Sequence, residues 1–350
     1  MKKGSRAFKD KLKGHKHAVV ALHAPEGPEG RRLISASADG MVRFWNIGRR
    51  ECENKFVLSK PSARAMLLCY LFRSETLYVG YDDHSVLGYD MTTGAERVSL
   101  EGHEGAINAL EANEETKVYS GSHDRTVRVW QTDTGVCLLL FQFSDPISVL
   151  RLAPSGSDLY VGTWDRVLRK VNLQSHEVQE VLLASSEVIK AVLVTDTHVY
   201  VGGCDPVIRA WTKETGEWKP FKGHLGWVLG LRLYRGWLFS FADDRTIRVW
   251  DPESTKCLEE FHGHEDAVSA VEIVGDVLYS ASLDHSVRTW DLREMAVRVQ
   301  ERSGMQREDV LSWKVYVYFK TIETRRNAKK KKGKKKKGKS KGKKGKGRRR

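Results

Sequence analysis

No run of about 18 or more apolar residues occurs in the chain, and no apolar stretch follows the lysines of Met1-Lys2-Lys3-Gly4-Ser5. Neither a membrane-spanning helix nor a secretory leader is therefore expected, and an intracellular location is. Cysteine is scarce and unpaired in pattern: Cys52, Cys69, Cys137, Cys204 and Cys257 are odd in number, widely spaced and form no C-x-x-C. That argues against a disulfide framework and against a structural zinc site, and the five read as free thiols. Phosphate-binding glycine loops are missing too, since no G-x-G-x-x-G follows a strand pattern and no G-x-x-x-x-G-K-[ST] stands outside the lysine-rich end. No cofactor is expected.

What is present begins with an uneven charge. The chain holds 59 basic and 45 acidic side chains, a net +14. Of the basic residues, 18 lie between Arg325 and Arg350, where there is no acid, so the first 324 residues carry 41 against 45, a net −4. Residues 325–350 are almost wholly Lys, Gly and Arg; without apolar surface to offset ordering entropy, this tail is expected to be disordered when alone. The remainder, in a chain that is 40% hydrophobic, is enough for a sizeable core.

Self-similarity at a period near 40 decides the fold. The clearest copies are Leu33-Ile-Ser-Ala-Ser-Ala-Asp39 with Trp45, Val118-Tyr-Ser-Gly-Ser-His-Asp124 with Trp130, Leu238-Phe-Ser-Phe-Ala-Asp-Asp244 with Trp250, and Leu278-Tyr-Ser-Ala-Ser-Leu-Asp284 with Trp290. In each the Asp precedes the Trp by six residues. Weaker copies keep the register at Asp83/Tyr89, Asp165/Val171 and Asp205/Trp211, giving seven units. A Gly-His pair stands ahead of four of them, at Gly14-His15, Gly102-His103, Gly223-His224 and Gly263-His264. Within a unit the apolar period is two, and polar turns divide it into four short strands.

Over roughly residues 6 to 293 the chain resembles the WD-repeat (beta-transducin repeat) family on these Gly-His, Asp and Trp positions. The resemblance implies an all-β, seven-bladed propeller, a ring in which each four-stranded blade buries its faces against its neighbours. Blades are expected near residues 14–55, 56–98, 99–141, 142–182, 183–221, 222–261 and 262–293. Residues 294–324 are then an extension before the tail. Residues 7–13 precede Gly14-His15 in the register in which Cys257 to His262 precede Gly263-His264, and are expected to supply the outer strand of the seventh blade. Met295 to Gln300 is a rival for that position. A further alternating run, Trp313 to Phe319, has no assigned partner.

The resemblance also implies a buried hydrogen-bond set in each complete unit: His15/Ser35/Asp39/Trp45, His103/Ser120/Asp124/Trp130, His224/Ser240/Asp244/Trp250 and His264/Ser280/Asp284/Trp290. Recurring His, Asp and Ser could suggest a hydrolase triad, but four copies at equivalent positions argue for architecture, because catalysis needs one distinctive constellation. No catalytic or metal-ligating residues are assigned. Cys52, Cys137 and Cys257 each follow a repeat Trp by seven residues, hence lie in different blades and read as packing residues. Blades two, four and five lack Gly-His and are expected to be looser or held mainly by apolar packing.

Function in such a ring is expected on its faces. The residues before each turn Asp are Ala38, Asp82, His123, Trp164, Cys204, Asp243 and Leu283, which by the resemblance line one rim. Trp164 stands out there, as does Trp227, which occupies a position held by Ala18, Ala106 and Ala267 in the other complete repeats. Asp82, His123, Trp164, Trp227 and Asp243 form the candidate partner-binding face. Trp290-Asp291-Leu-Arg293 is similar to the box through which substrate receptors dock on cullin-RING ubiquitin ligases, with Arg293 as the docking residue. The lysine tail, densest from Lys329-Lys330-Lys331-Lys332, suits sequence-tolerant binding to RNA or DNA phosphates, or an import receptor. The leading expectation is a monomeric, non-catalytic protein-interaction scaffold, nuclear or nucleolar; the alternative is a ligase substrate receptor.

Overall fold

The second strand of each repeat is buried on both faces and the outer strand far less, and the turns between strands fold them into antiparallel sheets. The computed structural model describes residues 8–24, 32–60, 65–71, 75–113, 116–183 and 185–303. One compact unit runs to Met295 and a second begins at Ala296, of which the last turns of the helix Leu292–Ser303 are described.

The first unit is a seven-bladed β-propeller. Blade three shows the plan: strands Ile107–Ala112, Lys117–Ser122, Thr126–Gln131 and Cys137–Gln142 pair in sequence order, innermost to outermost. Seven such four-stranded sheets occur, and the inner strands of successive blades lie side by side. The inner strand of the seventh, Val268–Val274, lies beside that of the first, Val19–His23, so the ring closes.

The core sits between blades. Ile34 and Phe44 of blade one pack with Leu77 and Tyr89 of blade two, and Tyr78 and Val86 of blade two pack with Val118 and Trp130 of blade three. Each such fully buried side chain contributes about 1.5–3 kcal/mol of transfer free energy. Close approach requires small residues three positions before the turn Asp. A Cβ at Gly121 would fall 2.5 Å from Ile147 of the next blade, and one at Gly202 2.7 Å from Val228. Blade six reverses this arrangement: Phe241 holds the small position, and Gly230, its cross-strand partner, makes the room. A Cβ on Gly230 would lie 1.9 Å from the Phe241 ring.

The seventh sheet takes its outermost strand from the chain's beginning. Phe8–Leu12 pairs antiparallel with Val287–Asp291, from Phe8 opposite Trp290 to Leu12 opposite Val287. Met295 to Gln300, the rival segment, lies in the helix instead. Asp291 explains the switch, because its Oδ1 accepts the Arg293 N–H at 2.9 Å and caps the helix directly after the blade. The run Trp313 to Phe319, the rest of the extension and the basic tail with Lys329, Lys330, Lys331 and Lys332 lie outside the described residues.

Candidate functional site

In the four complete units the strand that carries Ser and the strand that carries Trp are neighbours, and the loop bearing His folds over their end. His103 Nδ1 lies 2.7 Å from Asp124 Oδ2 and its Nε2 lies 2.7 Å from Ser120 Oγ, which also accepts the Trp130 Nε1–H at 2.7 Å. His224 with Asp244, Ser240 and Trp250 repeats all three distances at 2.7 Å. His264 with Asp284, Ser280 and Trp290 gives 2.8, 2.7 and 2.8 Å. In blade one His15 sits 3.1 Å from Asp39 and 2.7 Å from Ser35, which accepts from Trp45 at 2.8 Å.

One pattern of protons satisfies every member: indole N–H to Ser Oγ, Ser O–H to Nε2, and Nδ1–H to the carboxylate. It requires a neutral imidazole. Burial depresses the pKa of His15, His103 and His264 below the ordinary histidine value against the pull of their carboxylates, which fits that state. Burial alone would raise Asp124, but hydrogen bonds from Thr126 Oγ1, the Glu104 N–H and His103 outweigh it and hold the carboxyl at about 2. Asp39, Asp244 and Asp284 are lowered by the same opposition of burial and hydrogen bonds. Each Asp joins two loops, since Oδ2 takes the N–H of the residue after His (Lys16, Glu104, Leu225, Glu265) at 2.9–3.1 Å. Ser35, Ser120, Ser240 and Ser280 have no solvent exposure. A nucleophile needs access to substrate, and these oxygens have none.

Blades two, four and five are not held by apolar packing alone. In blade two, Tyr89 takes the Trp position and its Oη lies 2.7 Å from Tyr81 Oη and 2.8 Å from Ser59 Oγ. In blade four Arg169 reaches Asp165 at 2.7 Å and Thr163 at 2.6 Å. In blade five Arg209 reaches Asp205 at 2.6 Å, and Ser186 donates to the same carboxylate at 2.5 Å. These arginines stand two residues before the Trp position, as do Arg43, Arg128, Arg248 and Arg288 in the complete blades. With no histidine above the Asp, the guanidinium bonds the carboxylate oxygen that the histidine takes in the complete blades. A second set that sequence reasoning missed lies on the inner strands: Arg151 pairs with Glu111 at 3.3 Å and Arg232 with Glu272 at 3.1 Å, at one register position of four blades. Charge within an otherwise apolar alternation was the available signal.

The joined loops gather the candidate face at one end of each blade. In six blades the N–H before the turn Asp donates to the loop opposite, as His123 to Ala106 at 2.8 Å, Trp164 to Pro146 at 3.0 Å and Asp243 to Trp227 at 2.9 Å. Trp164 is 43% exposed and spans three blades: its ring meets His123 of blade three edge-on at 5.1 Å, and Lys190 Nζ of blade five stands 5.9 Å above it. Trp227 is 52% exposed beside the backbone of exposed Asp243, with exposed Leu225 two residues before it. Asp82 is exposed on blade two. Arg293 is elsewhere: exposed in the first turn of the helix, it pairs with Asp276 at 3.3 Å.

The family described as "WD domain, G-beta repeat" matches residues 7–46, 94–131, 217–251 and 255–291. These are the segments that carry the four complete His, Ser, Asp and Trp sets. Four of the seven blades are thus WD repeats. Among similar proteins, a p21-activated protein kinase-interacting protein 1-like protein of Danio rerio is 31% identical over 238 residues, covering 63% of this chain and 61% of that one. Telomerase protein component 1 of Rattus norvegicus is 25% identical over 298 residues, 78% of this chain and 11% of that protein. Nuclear distribution protein PAC1 of Coccidioides posadasii is 27% identical over 175 residues, 41% and 37% of the two. This WD-repeat chain thus spans less than two thirds of the length of each of these relatives.

Proposed function

We propose that this WD-repeat protein is a non-catalytic scaffold that holds a protein partner on the turn-bearing end of its ring. The carrying observation is Trp164, half in solvent and clasped by side chains of the blades on either side, with Trp227 exposed on the same end. Exposed tryptophans on a rigid frame are costly to leave in water and give up little side-chain entropy when covered, which is why they serve as anchors of protein interfaces. The histidine sets support the same reading, since their serine oxygens are sealed and their protons committed. The Danio rerio relative is named for interaction with a kinase, an activity of the same kind. The tail brings a second, separate function: its lysines bind phosphate polyanions or an import receptor and place the scaffold in the nucleus.

The test uses the full chain, a Trp164→Ala/Trp227→Ala variant and a chain ending at Glu323, each expressed in the cells it comes from. The double variant is expected to fold with unchanged circular dichroism and to lose the proteins that co-purify with the parent. The shortened chain is expected to keep them and to lose nuclear accumulation and salt-sensitive binding to RNA. An unchanged partner set in the double variant would remove the face from the account.

A further inference from the structure

The outer strand of a propeller blade is a sheet edge, with one row of backbone N–H and C=O groups turned away from its own sheet. Six of the seven outer strands carry charge or proline against pairing: Glu51, Glu53 and Lys55 in Glu51–Val57, Glu96 and Arg97 in Glu96–Leu100, and Glu180 in Val178–Leu183. Trp218–Phe221 has Lys219 and Pro220, Cys257–Phe261 has Glu259 and Glu260, and Phe8–Leu12 has Lys9, Asp10 and Lys11. The exception is Cys137–Gln142 in blade three, which contains no charged residue. Its Leu138 and Leu140 are 45% and 50% exposed, and Val136 just before it is 55% exposed. Leu139 and Phe141 face the core shared with blade four, so the strand is well anchored while Leu140 stands out in water. It is the last strand of its sheet.

We propose that this edge pairs with the same edge of a second copy of the chain, making an antiparallel two-fold dimer through blade three. The strand's neutrality argues for that occupant. When the strand meets itself about a two-fold axis passing through the Leu139–Phe141 segment, past the bulge at Leu138, Leu139, Leu140 and Phe141 face one another with no like charges opposed. The ring itself carries little net charge to oppose approach, the first 324 residues summing to −4. Such a dimer is weak, because one short strand pair buries less than the about 1,200 Å² of a stable interface. It leaves the turn-bearing end of each ring clear, so each dimer presents two copies of that face.

The experiment is sedimentation of the full chain over a wide concentration range at about 0.5 M salt, where the Debye length of about 4 Å screens the lysine tails from one another. The weight-average mass is expected to rise with concentration from one chain towards two. Leu140→Lys and Leu138→Lys, at exposed positions that leave the fold intact by circular dichroism, are each expected to return the chain to monomer. Val178→Lys, on the exposed part of blade four's outer strand, is expected to leave the dimer unchanged. A chain that stays monomeric throughout, or a dimer that survives both lysines at 138 and 140, would overturn the proposal, as would a dimer broken by Val178→Lys alone.

Discussion

Ser120→Ala isolates the architectural role of the recurring sets. Ser120 Oγ accepts the Trp130 indole N–H at 2.7 Å and lies 2.7 Å from His103 Nε2. Its replacement by a methyl group leaves both nitrogens without their partner in a place where Ser120 and Trp130 have 1% exposure or less and no water can substitute. Each orphaned buried group costs about 1–3 kcal/mol, so the change should destabilise the ring by about 2–6 kcal/mol. That is a large fraction of the about 5–15 kcal/mol that holds a folded domain together. In urea, with a slope of about 3 kcal/mol per molar, the midpoint should fall by about 1 M with the slope unchanged. Ser254→Ala is the control, because that hydroxyl bonds only the exposed end of Asp251; its midpoint should move by less than about 0.2 M. Equal, small shifts for both would refute the claim that the serine holds the blade.

Three further outcomes are expected. Acid should weaken the ring in two stages: the unfolded chain binds protons at its histidines near 6.5 where His15, His103 and His264 resist them, so stability falls as pH drops through and below that value. Asp39, Asp124, Asp244 and Asp284 then withdraw their contribution below about 3.8, the value they regain on unfolding; melting temperature against pH reads both. Gly230→Ala should cost about 1–3 kcal/mol by overpacking against Phe241, and Gly230→Ala/Phe241→Ala should not cost the sum of the two single changes, measured by the same urea titration. Arg209→Met should destabilise blade five by about 2–4 kcal/mol by stripping Asp205 of its paired charge, while Arg293→Ala, losing an exposed pair, should change stability by under about 1 kcal/mol.

How much of this could be read from the residues follows from range. The histidine sets followed from the family resemblance carried by the recurring Gly-His, Asp and Trp positions; spacing by itself does not say which of those side chains meet, and the step from His to Asp varies from 20 to 24 residues. The arginine substitutions in blades four and five were not, because Arg169 and Arg209 occupy the same register as Arg43 and Arg128 and differ only in what is missing above the Asp. The helix after Trp290 was not read from the residues, because Val297 and Val299 alternate as in a strand; the cap by Asp291 is a contact made only once the chain turns. The clasp on Trp164 joins residues of three blades, His123, Trp164 and Lys190, and no local period brings those together. The Gly230 and Phe241 exchange is likewise a cross-strand event, although a glycine inside an apolar strand is itself a signal of close approach.

The most direct test is amide hydrogen exchange on the full chain with and without a partner captured through the ring. Binding on the turn-bearing end predicts slowed exchange in residues 122–125, 163–166, 225–228 and 243–245, with the strand centres unchanged. Protection confined to the opposite turns, such as 133–136 and 213–217, would contradict it.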